Sequence, residues 1–309
     1  MAGEFERIRH LRALFGTPPA GVSLGIGDDA ALIEPPVDEQ IVWTIDACVE
    51  NVHFRRDIAS WEDVGFRSFM AAASDLAAMA AHPIGALSSV SLPRDLEDAD
   101  LYALARGQSL AARQVGTAVI GGNLSAGDVV TVSTTLLGRT RRAPQRDGAR
   151  PGDRLALCGD VGLAAAGLRM LLRDPGCSPA DDPERQALLA WRRPRARIED
   201  GLRCGGATSL IDVSDGLAQD ALHIASASGV RIDVDTSVVI TPSLRVVAER
   251  LGVDARELVL SGGEDYALLG TFAETEVPEG FVVVGACGEG CGVWADGEPA
   301  GPTGHDHFR

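Results

Sequence analysis

The chain has 309 residues, 28 basic and 44 acidic, for a formal net charge of −16 at pH 7. Every basic residue is Arg, and the absence of Lys excludes a Walker P-loop, a protein-kinase fold, Schiff-base catalysis and pyridoxal chemistry. So acidic a balance also argues against a nucleic-acid or anionic-membrane surface, and any phosphate chemistry must take its positive charge from Arg and metal ions.

In chain order, the charged first ten residues lack the apolar core of a signal peptide. Residues 41–47 predict a strand, with Ile41, Trp43, Ile45 and Ala47 on one face and Val42, Thr44 and Asp46 on the other. Residues 64–81 predict a helix with Phe69, Met70, Ala73, Leu76 and Ala77 at core spacing, ended by His82-Pro83. A second helix is expected over 96–115, and strands over 118–120 and 129–137. The polar, Arg-rich stretch 139–150 is the expected domain boundary. Beyond it come a strand at Arg154–Cys158, a helix from Leu163, a Pro/Asp loop over 174–183 and a strand at Ser209–Val213. Ser214 is placed to cap a helix at Leu217–Ser228. Strands follow at Arg231–Val234, 266–272 and 281–284. The alternation indicates two α/β domains, near 1–140 and 150–309, and 45% hydrophobic residues suffice for their cores. No uncharged apolar run reaches the roughly 18 residues of a membrane span. Six Cys without a tight framework suggest reduced thiols in a cytoplasm.

The chemistry is carried by where the Asp residues fall. GIGDDAA at 25–31 sets two carboxylates in a tight turn, which fits either a cation site or a capped turn. Thr44 and Asp46 share a strand face among apolar neighbours, and Asp75 lies on a helix face of small residues. DVSDGL at 212–217 runs from strand through turn to helix start. Its amides suit phosphate and its carboxylates suit Mg²⁺, although Ser214 serves equally as an N-cap. Gly121-Gly122-Asn123 reads as a turn after a short strand, and SGGEDY at 261–266 precedes another strand. Cys287, Cys291, His305 and His307 offer zinc-type ligands at a spacing that matches no tight zinc pattern.

Taken together, GIGDDAA, DACVENVHF at 46–54, SDLAAMAAHP at 74–83, DVSDGL and SGGEDY occur in the order of thiamine-monophosphate kinases, which the chain resembles over nearly its whole length. The resemblance implies a mixed α/β, two-domain PurM-like fold. The N-terminal domain would bind ATP and Mg²⁺, and its sheet would form a barrel shared across a homodimer. It also implies transfer of the ATP γ-phosphoryl group to thiamine monophosphate. Carried over by position, Asp29, Thr44, Asp46, Asp75, Asn123, Asp212 and Asp215 would hold several Mg²⁺ ions. Gly122, Asn123, Arg146 and Ser214 would contact ATP, and His53, Glu264 and His305 would contact thiamine monophosphate. No separate catalytic base is expected, since the acceptor phosphate is already ionised near neutral pH.

Three positions depart from the family pattern. Asn123 stands where Asp is usual, so weaker Mg²⁺ binding is expected there; His305 stands where Tyr or Trp is usual; Ala267 stands where Glu is common. They leave two competing readings: a PurM-like paralogue acting on another small molecule, and a non-catalytic nucleotide-binding homodimer.

Overall fold

The structure, a computed structural model, describes residues 4–26 and 30–301 and divides into two units, Met1–Leu76 with Ala81–Arg141 and Ala77–Ala80 with Arg142–Arg309. The elements up to Thr140 are α1 (Glu4–Phe15), β1 (Val22–Leu24), β2 (Leu32–Ile33), β3 (Gln40–Val49), α2 (Trp61–Ala78), β4 (His82–Leu92), α3 (Asp98–Gln114), β5 (Val119–Ala126) and β6 (Thr131–Thr140). A four-stranded sheet has the order β3-β6-β4-β5, with only the β4–β5 pair parallel. Strand alternation gives β3 two unlike faces. Val42, Thr44, Asp46 and Cys48 are half-buried, whereas Ile41, Trp43 and Ile45 are exposed. On the covered side, Val90 and Val132 from the sheet join Val64, Leu101 and Leu104 from the helices in one core.

The two helices cross through glycine. A Cβ on Gly65 would lie 1.9 Å from the Leu104 carbonyl oxygen, and one on Gly107 would lie 2.0 Å from that of Glu62. Backbone cannot yield as a side-chain tip does, so we expect Gly107→Ala to lower the unfolding free energy by about 2–3 kcal/mol. A urea midpoint equal to that of the unaltered protein would contradict this.

One expectation from sequence is corrected here and one strand lies beyond it. His82-Pro83, separated from α2 by three residues, opens β4, an interior strand that the breaker residues hide. Pro83 is tolerated because the pairing with β6 slips between Pro83 and Gly85. Gly121-Gly122-Asn123 is not a turn but the middle of β5. Gly122 pairs with Ser88, where a Cβ would meet the Ser88 carbonyl oxygen at 2.0 Å, so glycine here answers to strand proximity.

The second unit contains β7 (Arg154–Cys158), α4 (Leu163–Arg173), α5 (Asp182–Arg192), α6 (Ile198–Leu202), β8 (Ser209–Val213), α7 (Leu217–Ser228), β9 (Arg231–Val234), α8 (Thr236–Val239), α9 (Pro242–Leu251), α10 (Ala255–Ser261), β10 (Ala267–Phe272), β11 (Val282–Gly288), β12 (Gly292–Ala295) and β13 (Glu298–Ala300). Its seven-stranded sheet has the order β13-β12-β9-β11-β7-β10-β8, antiparallel except for β9–β12. Leu155, Leu157, Ile211, Val213 and Leu269 from the sheet share a core with Leu163, Leu217, Ile224, Leu244 and Leu258 from the helices. Residues 209–213 are buried throughout, the polar Ser209 and Asp212 as well as Leu210, Ile211 and Val213. Antiparallel pairing of Ala267 with Val213 sets the entry to β10 beside the exit from β8. That register brings two of the sequence motifs together.

Candidate active site

In the first unit the period of β3 turns Thr44 and Asp46 to the helix-covered face. The Thr44 hydroxyl donates to Oδ2 of Asp75 on α2, and Oδ1 of Asp46 accepts the Ala47 amide at 2.7 Å. Thr134 lies opposite Asp46, Ser88 opposite Thr134, and Gly122 opposite Ser88, so a polar row crosses the sheet. The buried amide of Gln108 on α3 meets Ser88 Oγ, donating from Nε2 at 2.8 Å and accepting at Oε1 at 3.1 Å. His53 accepts the Val49 amide at Nδ1, 3.0 Å away, which leaves the proton of the neutral imidazole on Nε2. Asn123 is exposed on β5. Asp29 lies outside the described residues.

In the second unit Asp212 is the penultimate residue of β8 and is 5% exposed. Ser214 does not cap α7; the N-cap is Gly216, at φ 114°, with no side-chain cap. Asp220, inside the first turn of α7, instead accepts the amides of Ser214 at 3.0 Å and Asp215 at 3.1 Å, binding the turn to the helix that follows it. Asp220 is 2% exposed. Burial, and then the negative charge of Asp212, push its carboxyl up to about 8. Ligand atoms of Asp215, Asp220 and His223 lie within 4.8 Å of one another.

The loop before β10 is locked onto this turn. The Glu264 amide donates to the Ser214 carbonyl at 2.8 Å and the Tyr266 amide to that of Val213 at 2.8 Å. Gly263 has φ 73°, and a Cβ there would lie 2.6 Å from the Ser214 carbonyl oxygen. Glu264 and Tyr266, at φ 59° and 51°, hold left-handed conformations that cost a non-glycine residue about 1 kcal/mol or more. Asp265 between them compensates by accepting the Gly162 and Ala164 amides at 2.8 and 3.1 Å, capping α4 from another part of the chain. Removal from water pushes the Asp265 carboxyl up to about 7, against the pull of those two donors. Oε2 of Glu264 accepts the indole N–H of Trp191 at 3.0 Å. The Arg146 carbonyl accepts the Ser228 hydroxyl at 2.9 Å, while its guanidinium end lies on an exposed residue.

The geometry thus joins Thr44 with Asp75 in the first unit, and Asp212, Ser214, Asp215 and Glu264 in the second. His305 lies outside the described residues. Asp220, Asp265 and Trp191 carry weight that the sequence concealed: Asp220 reads as an ordinary first-turn helix acid, Asp265 as one more letter of its motif, and Trp191 as plain core. The donors suit Mg²⁺, since carboxylate and hydroxyl oxygens are the ligands of hard cations. The crowding of Asp212, Asp215 and Asp220 is a charge density that a cation would relieve. Of the four zinc-type ligands, Cys287 is buried in β11 and Cys291 is exposed, while His305 and His307 lie outside the described residues; none of the six cysteines is in a disulfide.

Residues 27–140 match the AIR synthase related protein, N-terminal domain, family. A thiamine-monophosphate kinase of Aquifex aeolicus is 35% identical over 288 residues, 92% of each chain. One of Mycobacterium tuberculosis is 36% identical over 287 residues, 91% of this chain and 84% of its own. The chain belongs to the thiamine-monophosphate kinase family. Its mixed α/β architecture matches the family at the level of structure too. AaThiL complexed with AMPPCP and TMP aligns at a TM-score of 0.84 and 32% identity, over 99% of this chain and 97% of that one. Among the described residues no helix is long and apolar enough to cross a membrane.

Proposed function

We propose that the protein transfers the γ-phosphoryl group of ATP directly, in line, to the phosphate of thiamine monophosphate, giving thiamine diphosphate. The observation that carries this reading is the interlock of the 212–216 turn with the 263–266 loop, which sets carboxylates and a hydroxyl beside Glu264. It is supported by near-full-length similarity to kinases of that substrate and by a relative that holds AMPPCP and TMP together.

In the first unit Asp29, Thr44, Asp46, Asp75 and Asn123 would hold Mg²⁺; in the second, Asp212 and Asp215 would do so. Bound Mg²⁺ supplies the neutralisation of phosphate charge that a chain without Lys cannot supply itself. Gly122, Asn123, Ser214 and Arg146 bind ATP, and His53, Glu264 and His305 bind the acceptor. The hydrogen bond that keeps Nδ1 of His53 occupied leaves Nε2–H to donate to a phosphate oxygen. The acceptor phosphate has a second pKa of about 6 and attacks without a dedicated base. Asn123 brings an amide oxygen but no charge, so Asn123→Asp is expected to lower the Mg²⁺ concentration for half-maximal rate by about threefold or more. An unchanged requirement would show that this side chain is no ligand.

We further propose a homodimer built on the outer sheet face of the first unit. Trp43 is 72% and Ile45 70% exposed there, on a stable strand rather than a loop. A cavity of about 1080 Å³ opens in part on that face, where Trp43, Ile45, Leu87 and Leu137 line it, and extends against Leu11, Leu101 and Leu104. A second copy would cover that face. Thiols outside any disulfide fit a reducing cytoplasm.

The test of function is an acceptor scan with ATP and Mg²⁺, the products being resolved chromatographically. Thiamine monophosphate is expected to be the preferred acceptor. Turnover of another small molecule at a higher kcat/KM favours the paralogue reading, and tight ATP binding with no turnover of any acceptor favours a regulatory dimer.

A further inference from the structure

Within the proposed kinase reading, we infer that Trp191 is a positioning residue for the acceptor: its indole N–H fixes the carboxylate of Glu264 in the orientation that meets the cationic, amine-bearing part of thiamine monophosphate. Nothing in the sequence distinguishes Trp191 from a core residue, and at 1% exposure it is one of the largest fully buried side chains. Its ring nitrogen nonetheless has a specific side-chain acceptor. It reaches Oε2 of Glu264 at 3.0 Å, across 73 residues of sequence.

Both ends of that bond are held independently. On one side, α5 is pressed against α4 at a place where a Cβ on Gly167 would lie 2.1 Å from the Ala187 carbonyl oxygen, four residues before Trp191. On the other, the left-handed backbone of Glu264 is tied to Ser214 by its amide, and the neighbouring Asp265 is tied to the first amides of α4. The helix that Asp265 caps is therefore the helix on which Trp191's own helix rests. A carboxylate on a strained loop gains one orientation from a rigid indole, which has only two side-chain torsions to fix. An acidic group set in advance gives binding without a rearrangement on arrival of the substrate.

The role differs from plain packing in what it predicts. Trp191→Phe keeps a buried ring and removes the donor. The KM for thiamine monophosphate is expected to rise by about fivefold to twentyfold, while kcat and the KM for ATP stay within about twofold. In a Glu264→Ala background the same substitution is expected to change the KM by less than twofold, because no carboxylate remains to be placed. Multiplicative effects in the double variant, or an equal rise in both KM values, would overturn the inference. The unaltered chain provides a second reading through ¹⁵N-labelled indole resonances, of which its four Trp residues give four. The resonance that Glu264→Gln displaces most is expected to move on adding thiamine monophosphate and not on adding ATP alone; no response to thiamine monophosphate overturns the inference even if Trp191→Phe does not fold. If the unaltered enzyme makes thiamine diphosphate and Trp191→Phe is unaffected, the positioning role alone fails. If the unaltered enzyme makes none, the kinase reading fails and takes the positioning role with it.

Discussion

Asp212→Asn is expected to lower kcat by at least about a hundredfold while leaving the protein as stable as before, or more so, in metal-free buffer. The two halves of that result come from one geometry. Asp212 is a buried carboxylate near the end of β8, close enough to Asp220 for its charge to help push that carboxyl up to about 8. Without a cation the conflict between the two is met by Asp220 keeping a proton, and replacing Asp212 by a neutral isostere removes that conflict. With Mg²⁺ and ATP present the same replacement removes a ligand where phosphate charge must be balanced, and no Lys is present to substitute. A structural carboxylate would behave oppositely, with stability lost and chemistry largely kept. Thermal melts in EDTA and in Mg²⁺, set beside single-turnover rates, separate the two cases. A variant that melts lower in EDTA and turns over normally would contradict the metal assignment.

The second large effect concerns assembly. Trp43→Glu places a charge in the middle of the outer face of β3, between Ile41 and Ile45. If that face is closed by a second copy, burying an unpaired carboxylate there costs several kcal/mol, enough to move a micromolar dimer to monomer. Sedimentation is expected to give twice the 32.3 kDa chain mass for the unaltered protein and the single mass for the variant. Equal masses for the two proteins would show that this face is not the interface. The inner face should be indifferent to the change, because Trp43 points away from the α2–α3 core and touches the sheet through Thr135, whose hydroxyl accepts its indole N–H at 2.8 Å.

How much of this was legible beforehand depends on where the physics is local. The period-2 alternation of β3 assigned Thr44 and Asp46 to one face and Trp43 to the other without any tertiary knowledge, and β7, β8 and β9 keep the bounds expected from their short segments bearing Leu, Ile and Val. Local signals misled wherever a neighbour imposed the conformation. The glycines at 121 and 122 imitate a turn, but Gly122 answers to the backbone of Ser88 and Gly121 to the side chain of Leu87 alongside. Pro83 imitates a stop, but it sits where the β4–β6 register slips. Ser214 matched the N-cap preference, but the N-cap is Gly216 without a side-chain cap, and the carboxylate of Asp220 instead reaches back to two amides of the preceding turn, which no spacing rule anticipates. The motif residues of the candidate site could be named from their order along the chain. The residues that hold them in place could not, because Asp265 with α4 and Trp191 with Glu264 are pairings between segments 73 or more residues apart.

We propose that metal ions do for this chain what Lys does in other kinases. The decisive measurement is of thiamine diphosphate formed from ATP and thiamine monophosphate as free Mg²⁺ is raised beyond the amount that saturates ATP. Equimolar ADP and thiamine diphosphate are expected, with a rate that keeps rising past that point and no product in excess EDTA. Thiamine diphosphate formed at an undiminished rate with the metal chelated would show that the metal is not needed.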